Sequence, residues 1–146
     1  MQAYPHHYTA SATGTASGTI AVGSAGLPDL ETAPPPEFDG PGGLWSPESL
    51  LVAAVADCFI LTFRAIARTA RLEWTRLDCR VEGVLDRAAG VSQFVRFTTH
   101  ARLQAGPGVD QAKARDLLER AEKHCLISNS LKGERHVEIE VSTDSA

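Results

Sequence analysis

Three cysteines give this chain a chemistry of its own: Cys58, Cys79 and Cys125. A thiolate attacks the O–O bond of a peroxide, releases an alcohol and is left as a sulfenic acid. A second thiol condenses with that acid to a disulfide, and an external reductant reopens it. The cycle requires two thiols within disulfide reach, about 6 Å between Cα atoms. It also requires a lowered thiol pKa, which burial alone would raise. The competing reading is that the cysteines are small core hydrophobes, since free Cys is among the most buried residue types. Cys79 lies in a strand pattern between Asp78 and Arg80 with no second motif around it, and reads as structural. His124 beside Cys125, with His6 and His7, raises the question of a metal. No CxxC, HxH or HExxH spacing supports one, and none is expected.

The elements that would position the thiols are legible from capping and periodicity. Ser46 is a good N-cap, Pro47 suits the first helical position, and Glu48 places a carboxylate at the positive end of the helix dipole. From Leu50 to Phe63 the helix is apolar almost all round, with Cys58 in its middle, so it must be buried within the protein or between subunits. In a chain of 146 residues such a helix suggests a dimer with a shared core. Asp110 caps a second helix, in which Ala114, Leu117, Leu118, Ala121 and Cys125 fall on one stripe and put Cys125 on the buried face. Ser128-Asn129-Ser130 ends it. Two buried helices in one small domain are expected to touch, which would allow Cys58 and Cys125 to come within disulfide reach, a contact the spacing alone does not fix.

Strands fill the rest. His7 to Ala12 and Gly18 to Gly23 form a plausible hairpin, and the Pro- and Gly-rich stretch 33–43 cannot be regular structure. Trp74 to Leu85 and Gln93 to Gln104 flank a turn at Arg87-Ala88-Ala89-Gly90. In the second of these, Val95, Phe97, Thr99 and Ala101 lean to the core. Arg135 to Val141 alternates as a last strand. The order β-β, helix, β-β, helix, β defines an α+β domain, taken as one unit over residues 1–146. Trp45 and Trp74 flank the first helix, and Phe38, Phe59 and Phe63 are candidate walls of an apolar pocket near Cys58, the competing reading being that they are core.

The bulk numbers exclude several classes. A net charge of −4 gives no basic footprint for nucleic acid. No glycine-rich phosphate loop opens a helix, so no nucleotide site is expected. The amino terminus lacks the order of a signal peptide, and the apolar run Leu50 to Ala56 stops at Asp57, short of a membrane span. A cytoplasmic protein follows, with thiols kept reduced unless they are catalytic or redox-sensing.

Ser46-Pro47-Glu48-Ser49-Leu50-Leu51, followed by Ala53-Ala54-Val55-Ala56-Asp57-Cys58-Phe59, resembles the signature of the OsmC/Ohr hydroperoxide-reductase family. Ala121 to Leu131, around Cys125, is similar to that family's second motif. The resemblance runs from about Tyr8 to Val141. It implies an intertwined homodimer, with antiparallel sheets packed around two long central helices and active sites at the subunit interface. By motif match Cys58 would be the peroxide-attacking thiol, Cys125 the resolving one, and Glu48 the carboxylate that holds a catalytic arginine. The implied activity is reduction of organic hydroperoxides, with no bound cofactor and with an external dithiol such as dihydrolipoamide as reductant. One departure stands out, because the family's arginine comes from the amino-terminal strands or the loop after them. Here no arginine precedes Arg64. Arg64 lies about 240° around the helix from Cys58, and Arg68 lies roughly 15 Å along it. His6 and His7 are the only basic side chains upstream and become the candidates for activating Cys58, one of them with Glu48. The alternative is a non-peroxidatic redox-sensing or small-molecule-binding dimer that kept the cysteines and lost the arginine.

Overall fold

The structure, a computed structural model, describes residues 1–145. They fall into two compact units, Met1–Leu51 and the chain from Val52 onward.

In the first unit β1 (Ser11–Thr13), β2 (Ile20–Gly23) and β3 (Leu30–Thr32) form an antiparallel sheet in that order. The expected first strand therefore starts later, because only Ser11 to Thr13 find partners on β2. Strand β3 was not anticipated: three residues are too short a window for any alternation to register. The Pro-rich stretch holds one turn of 3-10 helix, Pro36–Phe38, stopped by Asp39 in the left-handed region at φ 60°. Residues on either side of it are irregular, as expected.

Helix α1 (Pro47–Ala70) starts where the sequence put it. The Ser46 hydroxyl accepts from the Ser49 N–H at 3.1 Å, and the Ser46 N–H donates to Ser49 Oγ at 2.9 Å. This is a capping box with Ser in the place usually taken by Glu. Its inward row is Val55, Phe59, Phe63 and Ala67, at i, i+4, i+8 and i+12. By length and composition alone α1 would pass for a membrane span, with mean hydropathy 2.1. In this fold Phe59, Phe63 and Ala67 of that row pack into the core of the second unit.

That core lies against a sheet of order β4-β5-β6. Strands β4 (Trp74–Ala88) and β5 (Val91–Ala105) are antiparallel, longer than expected, and joined at Ala89-Gly90. Both turn residues have positive φ, 51° and 78°, as a two-residue hairpin that follows the strand twist demands. Phe97, Thr99, Ala101, Leu103 and Ala105 face inward, while Arg76, Asp78, Arg80 and Glu82 of β4 face out. Strand β6 (Glu134–Thr143) corrects the expectation of purely antiparallel sheets: it runs parallel to β5, with Ala101 opposite Ile139. The cause is the connection, since α2 (Gln111–His124) carries the chain back along the sheet between the two strands. Asp110 caps α2 through Ala112 N–H at 2.9 Å, and Ala114, Leu117, Leu118 and Ala121 are buried as the stripe requires.

Cys125 departs from the helical stripe. It has φ −63° and ψ 105°, so it lies outside α2, and a one-turn helix α3 (Leu126–Asn129) starts after it. The burial reading was right and the helical one was not.

Candidate active site

The three cysteines lie on α1, on β4 and in the break between α2 and α3 of the second unit, and all are free thiols. Cys58, half-buried on α1, has Thr62 Oγ1 one turn on at 3.9 Å from its sulfur. Cys125 is fully buried in the break between α2 and α3, and Ser128 Oγ donates to its sulfur at 3.3 Å. Burial pushes the Cys125 thiol up. The side-chain and backbone hydrogen bonds from Ser128 oppose the rise, and Cys58 adds to it by hydrogen bonding and by charge. Cys58 on α1 and Cys125 in the break after α2 are thus near enough to influence one another, the nearness from which disulfide chemistry starts.

Cys79, read from the sequence as structural, lies close enough to Cys125 for the two to interact electrostatically. It projects from the inward row of β4 between Leu77 and Val81 and packs against the core. Burial pushes its thiol up to about 12, aided by the charges of Glu122 and Cys125. It is a neighbour of the pair held in its protonated form.

A second polar group flanks Cys125. Arg135, at the start of β6, donates through Nε to Glu122 Oε1 at 2.8 Å, through Nη1 to Asn129 Oδ1 at 2.7 Å, and through Nη2 to the Glu122 carbonyl. Glu122 is buried in the last turn of α2, and its Oε2 has no partner among the described residues. Asn129 Nδ2 donates to the Lys123 carbonyl at 3.2 Å.

The other sequence candidates sort as follows. Glu48 lies in the first turn of α1, within the Met1–Leu51 unit, with Oε2 buried and no partner among the described residues. His6 stacks on Tyr4 with ring centroids 4.5 Å apart, and its Nε2 is 3.1 Å from the Gln2 carbonyl oxygen; His7 is exposed. Arg64 and Arg68 are exposed, as their helical offsets from Cys58 imply. Phe59 and Phe63 are 0% exposed, so they are core and cannot wall a pocket; Phe63 meets Trp74 edge-on at 5.4 Å. Among the described residues no group of three or more His, Cys, Asp or Glu side chains is placed to hold a metal.

Sequence reasoning missed Thr62, Ser128 and the Arg135 network. The first two were within reach, at i+4 from Cys58 and i+3 from Cys125 on helical segments. Arg135 was not, because it is 13 residues from Glu122 and meets it only through the parallel β5–β6 pairing.

Residues 40–141 match the OsmC-like protein family, and the chain belongs to that family. It is 33% identical over 131 residues to an organic hydroperoxide resistance protein of Xanthomonas axonopodis pv. citri, covering 86% of this chain and 88% of that one. The uncharacterized protein YmaD of Bacillus subtilis is 30% identical over 111 residues, 74% of each chain. Among solved structures, an organic hydroperoxide resistance protein OsmC from Legionella pneumophila superposes with a TM-score of 0.75 at 28% identity, covering 96% of this chain and 99% of that one.

Proposed function

We propose that this chain is a thiol-dependent peroxidase that reduces organic hydroperoxides to alcohols. The observation that carries the reading is the juxtaposition of the free Cys58 and Cys125 thiols in one core, supported by relatives named for organic hydroperoxide resistance. The Cys58 thiolate attacks the distal peroxide oxygen. The O–O bond breaks, the alcohol leaves with a proton, and Cys58 becomes a sulfenic acid. The Cys125 thiol attacks that sulfur, expelling water and forming the Cys58–Cys125 disulfide, which an external dithiol of the dihydrolipoamide type reduces in two exchanges. No bound cofactor enters the cycle.

Cys58 needs a polar partner that favours its thiolate, and Thr62 supplies one neutral hydroxyl. We assign the cationic part to His6 or His7, acting with Glu48 in place of an arginine. A His6→Ala/His7→Ala double variant should raise the Cys58 thiol pKa, read by the pH dependence of alkylation. An unmoved profile removes the histidines from the account. The reading includes a cytoplasmic homodimer: Leu61 of α1 is 51% exposed in the single chain, and of that long apolar helix only Val55, Phe59, Phe63 and Ala67 are fully buried. The absence of any arginine before Arg64 favours one other reading, a redox-sensing or ligand-binding dimer without turnover.

Steady-state assay separates the two. With cumene hydroperoxide and a dithiol in excess, the peroxidase account expects many turnovers per Cys58, and none for Cys58→Ser. Consumption of a single equivalent, with no turnover under any dithiol, contradicts it and supports the sensor.

A further inference from the structure

Cys125 is not held by a helix of its own. Its backbone is extended, α2 ends at His124, and α3 is a single turn, too short to be stable alone. What closes the break is a guanidinium from a third element. Three donors of Arg135, on β6, are divided between the two sides: Nε and Nη2 take the carboxylate and carbonyl of Glu122 in α2, and Nη1 takes Asn129 Oδ1 at the end of α3. Asn129 completes the link, its Nδ2 reaching back over Cys125 to the Lys123 carbonyl while its own N–H donates to the Cys125 carbonyl at 2.9 Å. Two carbonyls that the end of α2 would leave orphaned are thereby satisfied. The ion pair is largely buried, with side chains 26% and 12% exposed, so solvent screens it little. The planar fork is suited to this task and a point charge is not.

We propose that Arg135 is a positioning residue for Cys125: through Glu122 and Asn129 it clamps the α2–α3 break, so that the Cys125 sulfur is presented to Cys58 for disulfide formation. The inference rests on the cysteine-pair reading but not on peroxide turnover. Disulfide exchange needs its sulfurs in line, and a misplacement near 1 Å costs up to about 100-fold. Arg135 touches neither sulfur in the proposed step and acts only through the residues it holds.

The experiment equilibrates the full-length protein with glutathione and glutathione disulfide, two protein thiols becoming one disulfide as one oxidised glutathione becomes two reduced. The effective concentration of Cys125 toward Cys58 is read by mass spectrometry. Arg135→Met should lower it by about 10-fold or more, in line with the cost of misplacement. With one equivalent of cumene hydroperoxide, the same variant should form Cys58 sulfenate at the parent rate. It should then resolve that sulfenate slowly, so that a second equivalent of cumene hydroperoxide, itself reduced to the alcohol, takes the lingering sulfenate to sulfinate on Cys58. A parent-like effective concentration in folded Arg135→Met overturns the clamp. Should that variant not fold, Asn129→Ala carries the same test: a reduced value supports the clamp and a parent-like value overturns it. If the parent forms the disulfide in glutathione but no sulfenate with peroxide, the peroxidase reading fails while the clamp is still judged by the first measurement.

Discussion

Cys79 lies on the inward row of β4, where burial first, then Glu122 and Cys125, push its thiol up to about 12. At neutral pH it is protonated and a poor nucleophile, so its closeness to Cys125 does not make it a competitor in resolution. Cys79→Ser should leave the rate of Cys58–Cys125 disulfide formation unchanged, and a rate lowered several-fold would bring Cys79 into the cycle. Because its folded pKa lies above the ordinary thiol value, folding favours its protonated form. That contribution to stability is complete below the ordinary value and is lost as pH rises through it toward about 12. Urea unfolding at pH 8 and pH 11 should show the parent losing more stability than Cys79→Ala over the interval. Equal losses would mean that the thiol titrates normally. Cys125 is shifted the same way, though Ser128 offsets part of the rise. Ser128→Ala should therefore slow alkylation of Cys125 further at pH 8, and a faster rate would contradict the assignment.

Local signals brought most elements into view, and contacts distant in sequence brought the rest. Ser46-Pro47 and Asp110 mark helix starts because capping is decided within four residues, and the stripe Ala114, Leu117, Leu118, Ala121 is buried because helical periodicity is local too. Leu118→Ala should accordingly cost about 2–5 kcal/mol and Asp110→Ala about 0.5–2 kcal/mol in chemical denaturation. Similar small losses for both would argue against α2 as a core helix. The parallel pairing of β6, the break at Cys125 and the Arg135 clamp depend on segments that meet only in the folded chain. The i+11 position of Cys125 was compatible with a continued helix, and nothing nearby, such as Gly or Pro, signalled the interruption. Gly83 belongs with these hidden features. A Cβ there would stand 2.8 Å from the Phe94 ring and 3.0 Å from Val52, so its lack of a side chain lets β4 pass close to α1. Gly83→Val should destabilise by about 1–3 kcal/mol through overpacking. An unchanged denaturation midpoint would show that the neighbours give way freely.

For the molecule as a whole, membership of the OsmC-like family and the cysteine cluster point the same way, while the arginine expected from the family is absent upstream of Cys58. The proposed homodimer gives the apolar surface of α1 something to cover it. Sedimentation should find a dimer, and Leu61→Glu should shift it toward monomer because a carboxylate cannot be buried there unpaired. The central claim is that Cys58 is oxidised by the peroxide and that Cys125 then displaces water from the Cys58 sulfenic acid. It is tested most directly by adding one equivalent of cumene hydroperoxide to the reduced protein and mapping its sulfurs by mass spectrometry within seconds. The account predicts an intrachain Cys58–Cys125 disulfide, absent in Cys58→Ser, with Cys79 still reduced. Thiols that all stay reduced for hours would contradict it.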